Sequence, residues 1–200
     1  MHAAISILIN EHRVIEQVLA VLEHTTAAAQ QGAEVDRSRI AEIGEFFAGF
    51  ADRCHHAKEE DLLFAAMVEA GMPREQGPIA VMLADHTEGR TLVGRLRAIG
   101  AGAGPLSAAE RASVGADGAA YVELLGQHIL KEDRILYPMA LRTVNAEALD
   151  RVAQAYEQHE LSVMGRGEHE RLLALAERLI ATLPQAADTK RELGSHVCQH

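Results

Sequence analysis

Tryptophan is absent, aromatic residues make up only 4% of the chain, and five prolines serve 200 residues. A core this poor in rings must be filled by Leu, Ala, Val and Ile, and long stretches without proline let those residues sit on helices. Cysteine occurs twice, at Cys54 and Cys198, which excludes a disulfide framework. No apolar run approaches the roughly 20 residues needed to span a bilayer. The N-terminus lacks a basic segment ahead of its short apolar stretch, so no signal peptide is expected. Basic side chains are outnumbered 19 to 29, for a formal charge of −10. That balance argues against nucleic acid or an anionic membrane surface as a partner. The expected class is a soluble, acidic, cytoplasmic, mostly helical protein.

Histidine is what the chain has in excess: eleven residues with no tract among them. Breaks fall at QQGAEVD (30–36), AGMPREQGP (70–78), GAGAGPLS (100–107) and TVNAEA (143–148). The periodicity predicts helices from Ala4 to Gln30, from Ser38 to Ala70, after Pro78, and from Ser107 to Arg142. The last of these opens on a capping box, Ser107 to Glu110, and Pro138 is expected to kink or end it. The fold class expected is all-α: an antiparallel up-down four-helix bundle over 1–145, two further helices over 146–184, and a flexible polar tail over 185–200.

The bundle is written twice. CHHAKEEDLLF (54–64) and QHILKEDRILY (127–137) repeat at a spacing of 73, and Asn10-Glu11-His12 matches Ala84-Asp85-His86. His12 and His55 are 43 residues apart, His86 and His128 are 42 apart, and the midpoint of each pair lies in a loop. Antiparallel neighbours place residues equidistant from their connection at one height, so His12, His55, Glu59, His86, His128 and Glu132 should converge. Each His-x-x-x-Glu puts both side chains on one helix face, and that face also carries Ile15, Leu62 and Ile135. Four imidazoles and two carboxylates facing an apolar interior need partners or metal, and the one basic side chain near the stripe, Arg90, cannot satisfy them all. Six N/O donors exceed one tetrahedral zinc. They suit two ions, iron or manganese, each with two histidines and with the carboxylates bridging.

The order His…His-x-x-x-Glu…His…His-x-x-x-Glu, with KEE-x-x-LF and KED-x-x-LYP tails, resembles the hemerythrin-like (HHE cation-binding) family of non-haem di-iron bundles over roughly residues 5–140. The resemblance implies two Fe ions with a bridging oxo or hydroxo group, ligated by His12, His55, Glu59, His86, His128 and Glu132. It also implies reactivity with dioxygen, hydrogen peroxide or nitric oxide. Oxygen-carrying relatives have a histidine where this chain has Arg90. That departure points to an open iron, and so to redox turnover or stress defence, with a peroxide-decomposing or nitric-oxide-consuming activity, rather than to oxygen carriage. A sensor of iron or redox state is the alternative. Asp133 also fits the spacing of the carriers' aspartate, but the internal match to Glu59 favours Glu132.

Around this set, Glu60 and Asp61 read as a solvated face or as acceptors for imidazole N–H groups. Tyr121 reads as core packing, with binding or tuning of the open iron as the sharper alternative, and Gly89 could leave room for an incoming molecule. His56 is expected on the surface, 100° around the helix from His55. Lys58 and Lys131 read as surface partners of nearby carboxylates, and Cys54 as pointing away from the metals. His159-Glu160 and Glu168-His169 are expected to face solvent, unless the terminal hairpin caps the bundle and lends the site a carboxylate. The tail residues His196, Cys198 and His200 could scavenge zinc.

Overall fold

The computed structural model describes residues 2–184, so the expected tail over 185–200, with His196, Cys198 and His200, lies outside the described residues. The described residues form six helical rods and no strand. They are α1 (Ala3–Gln30), α2 (37–69), α3 (Gly77–Gly100), α4 (108–143), α5 (Ala146–Met164) and α6 (Glu168–Ile180). Side chains close the open N–H groups at the rod starts. Asp36 accepts from the Ser38 amide, Ser107 and Glu110 form the expected capping box, and Asn145 accepts from the Ala148 amide. The α5–α6 turn runs through Gly165 and Gly167, whose φ of 91° and 78° favour glycine.

Two rods are not α-helical throughout. α2 is π-helical over Phe47–His56 and again over Glu59–Leu63, and α4 is π-helical over Glu132–Leu136. The last two stretches are repeat equivalents, 73 residues apart. Their wider turn moves the inward stripe by one position. Leu63 and Leu136 are buried, whereas Ile135, expected to face inward, is 52% exposed. Pro138 does not end α4, because it sits in the first turn of the α segment that follows the π stretch, where a missing N–H costs little.

α1 packs against α4, α2 against α3, and α3 against α4, while α5 and α6 lie on α1 and α2. The apolar core is in two parts. One holds Ile15, Phe46, Phe47, Phe50, Leu96, Val114 and Ile129; the other holds Ile5, Leu8, Phe64, Met67, Ile79, Met82, Leu136 and Tyr137. On each of the first four rods one part ends and the other begins around the duplicated histidines and glutamates. The extension belongs to both parts. Leu172, Leu175 and Leu179 of α6 complete the first, and Leu149, Val152 and Tyr156 of α5 complete the second. Gly49 lets Leu172 approach closely, since a Cβ there would lie 2.8 Å from a Leu172 methyl. Among the described residues no helix is long and apolar enough to cross a membrane.

Candidate metal centre

Between the two apolar parts lies a buried polar layer. His12, His55, Glu59, His86, His128 and Glu132 are each at most 1% exposed. The imidazoles meet in pairs through Nε2, with His12 3.0 Å from His55 and His86 3.1 Å from His128. The carboxylates span the pairs. Glu59 Oε2 is 3.6 Å from both His55 and His86, and Glu132 Oε2 is 3.2 Å from His12 and 3.1 Å from His128.

The opposite nitrogen of every ring is held. Nδ1 of His12 donates to Asp133 (2.8 Å), of His55 to Glu11 (2.9 Å), of His86 to Glu60 (2.7 Å) and of His128 to Asp85 (3.3 Å). An ionised carboxylate only accepts, so each Nδ1 carries a proton and each Nε2 is the nitrogen turned inward. Every one of these carboxylates is itself met by a cation: Arg13, Lys58, Arg90 and Lys131 respectively. The arrangement repeats with the sequence. The acid before each α1 or α3 histidine, Glu11 or Asp85, holds the histidine of the next rod, and the acid after each glutamate, Glu60 or Asp133, holds the histidine of α3 or α1.

Burial and charge set the protonation states. Burial, aided by the charge of Glu132, pushes the Glu59 carboxyl well above the usual range. Burial would do the same to Glu132, but the imidazoles of His128 and His12 outweigh it and hold that carboxyl well below the range. Burial lowers His55 to about 4 and also lowers His86. For His128 the carboxylates of Glu132 and Asp85 overcome burial and raise it to about 9, and Asp133 and Glu132 raise His12. The two rings beside Glu132 are therefore held more basic than the two beside Glu59.

Glu59 Oε2 and both oxygens of Glu132 are buried without a hydrogen-bond partner. Carboxylate oxygens buried without a hydrogen-bond partner among imidazole nitrogens are costly in a protein interior unless a cation sits among them. His12, His55, Glu59 and Glu132 offer donor atoms all within 4.8 Å of one another, as do His56, Glu59, His86 and His128. The residues fit a metal pair. Cation uptake at pH 7 must displace the proton that His128 carries, so loading should release protons and affinity should rise with pH until His128 has titrated, near 9. Calorimetric titration with Mn(II) in two buffers of different ionisation enthalpy measures this, and zero net release would refute it.

Several expectations change. His56 is buried and stacks on His86, with ring centroids 3.8 Å apart. The 100° step that put it outside assumes an α-helix, and the chain is π-helical there; its repeat counterpart Ile129 is also buried, a signal the pairing of repeats contained. Lys58 is not a surface residue either: its side chain is 1% exposed, under α5, where it bonds both Glu11 and Glu160. Glu160 also accepts from His169 and from the Cys54 thiol, so the terminal hairpin does supply a carboxylate to this network. Arg90 leaves the stripe and is drawn outward by Asp52 and Glu60. Tyr121 lines a cavity with Gly89 and makes no bond to the layer, packing its ring against Phe47. The phenol at the centre is Tyr137, whose hydroxyl donates to Glu59 Oε1 at 2.7 Å and lies 3.3 Å from His12 Nε2. Its place in the repeat opposite Phe64 marked it only as a core ring.

Comparison with known proteins gives the same assignment. The family model for the hemerythrin HHE cation binding domain matches residues 3–140. Uncharacterized proteins of Mycobacterium bovis and of two strains of Mycobacterium tuberculosis are each 23% identical over 153 residues, covering 76% of this chain and 59% of theirs. The chain thus spans somewhat over half the length of these curated relatives. No solved structure matches. With the family model covering all four rods that build the polar layer, the chain belongs to the hemerythrin HHE cation-binding family.

Proposed function

We propose that this chain is a non-haem di-iron protein whose centre reacts with dioxygen, hydrogen peroxide or nitric oxide in redox turnover or stress defence rather than in oxygen carriage. His12 and His55 would hold one ion and His86 and His128 the other, with Glu59 and Glu132 shared between them. The observation that carries this reading is that each carboxylate stands between imidazoles of different pairs, as bridging requires. Iron rather than manganese rests on family membership and the N/O donor set, which manganese also suits. The frame proposed is an antiparallel four-helix bundle. Register supports it: Gln30 reaches Gly115 while His12 reaches Asp133, and Ala41 abuts Gly100 while Gly44 abuts Arg97.

When bound, the iron pair supplies electrons and open coordination positions. The chain supplies the rest. The four carboxylate-held rings are fixed in tautomer and orientation before any ion arrives. Tyr137, a neutral phenol held well above its usual range by burial and the nearby carboxylates, fixes Glu59 and can hold or yield a proton at Oε1. The apolar parts on either side exclude bulk water. A cavity of about 270 Å³ lined by His56, Gly89, Arg90 and Tyr121 supports entry of a small oxidant as far as the His56 ring.

The test is anaerobic reconstitution with Fe(II) followed by peroxide. Two irons per chain, an oxidised-pair absorption spectrum and consumption of many equivalents of peroxide are expected. One-for-one oxidation that then stops would move the reading to a sensor, and protein that folds normally while binding no iron would end it.

A further inference from the structure

We propose that His56 is a fifth imidazole ligand of the centre, directed at the ion held by His86 and His128; this rests on the di-iron reading above. The starting observation is an imbalance. Both ring nitrogens of His56 are buried and neither has a hydrogen-bond partner. The other four buried imidazoles of the layer each have a carboxylate on Nδ1 and a neighbour on Nε2. An imidazole with two idle nitrogens in the interior is a cost without a visible return.

The repeat shows that this cost is not imposed by the fold. The equivalent position in the second half is Ile129, buried in the first part of the core. An aliphatic side chain therefore serves at this place in the rod, and the first half carries a donor there instead. Its surroundings are those of a ligand. His56 joins Glu59, His86 and His128 in a set whose donor atoms all lie within 4.8 Å of one another. Its Nδ1 faces Asp52 at 3.5 Å, too far for a good hydrogen bond, and that carboxylate is occupied by Arg90 at 2.7 Å. This loosely repeats the arrangement of the other four rings, in which Nδ1 meets a carboxylate–cation pair and Nε2 turns inward.

His56 and His86 lie face to face, 14° from parallel, and parallel stacked rings cannot both point their lone pairs at one ion. Ligation therefore requires the His56 ring to turn off the His86 face. The cavity provides the space, since it borders His56 but not His86. The two ions would be unequal, with three imidazoles on one and two on the other.

The experiment uses the reconstituted full chain in its ferrous form. Exchangeable imidazole N–H protons shifted by the paramagnetic ions are counted by proton NMR in the parent, His56→Phe, His56→Gln and His128→Ala. Iron retained after passage through chelator is measured in parallel. Phe keeps the stacking surface, and Gln keeps a polar side chain if Phe fails to fold. Five shifted resonances are expected in the parent and four in either His56 variant, with one iron bound at least about tenfold more weakly, the low end of what even an outer partner of a ligand costs. Four resonances in the parent, unchanged in the folded His56 variant with equal iron retention, would overturn the proposal. If His128→Ala also keeps both irons and all resonances, the di-iron reading itself falls, which separates the two failures.

Discussion

Chain carrying Glu132→Gln takes up no stable metal pair, yet its metal-free form unfolds within about 1 kcal/mol of the metal-free parent. Neither oxygen of Glu132 has a hydrogen-bond partner, and the carboxylate lies fully buried between His12 and His128. Its charge raises both imidazoles. When a neutral amide replaces it, the support for a charged His128 falls and that ring can shed its extra proton, so no buried charge is stranded. That condition makes loss of a buried ion close to neutral rather than destabilising by several kcal/mol. Metal binding has no such escape. The charge shared by both ions is gone, and affinity should fall by more than the roughly 100-fold that loss of an outer partner can cost. Iron content after chelator treatment and urea unfolding of the metal-free proteins measure the two effects. A large loss of metal-free stability with normal iron content would mean that Glu132 is a structural residue and not a ligand.

The second large effect separates two lysines that the repeat makes equivalent. Lys58→Ala should destabilise the protein by about 3–5 kcal/mol, the cost of removing one member of a buried ion pair, and Lys131→Ala by less than about 1 kcal/mol. Lys58 is 1% exposed and stands between Glu11 and Glu160, so its loss leaves Glu11 buried and unneutralised. Burial would raise the Glu11 carboxyl, but His55 and Lys58 hold it below its ordinary value, and the variant loses the Lys58 part of that support. Lys131 meets Asp85 with 36% of its side chain exposed, where water can take over. Because Glu11 also orients His55, Lys58→Ala should weaken metal retention as well. Denaturation midpoints of the two variants, compared with the parent, decide it. Equal shifts would show that the α5–α6 hairpin does not bury the first lysine as described.

The buried polar layer could be read from the chain because its information is redundant there. A residue's height in a bundle depends on its distance from the loop, and the duplication states that distance twice. The carboxylate–cation supports are visible in the same repeat, as Glu11 with Lys58 and Asp85 with Lys131, but only as matched letters. Nothing local says that an acid next to one histidine serves the histidine of another rod. His56 and Ile135 were misplaced by the same assumption of a uniform 3.6-residue turn. A π-helical stretch is stabilised by what packs around it more than by its own residues, so its position has no reliable local signature. Tyr137 has no such signature for a related reason: the angular position of a side chain beyond a π stretch cannot be counted forward from the histidine.

The chain's own order of residues settled the all-helical class, the rod boundaries to within a few positions, the twofold repeat and the six donors that share a level. These depend on periodicity, capping and equal loop distances, which are properties of neighbours along the chain. Tertiary structure decided which acid holds which imidazole, that Lys58 lies beneath the terminal hairpin while Lys131 stays in contact with water, and that His56 and Tyr137 enter the layer. Those outcomes follow from how the rods rotate and what covers them, and both are set by packing between residues far apart in the chain.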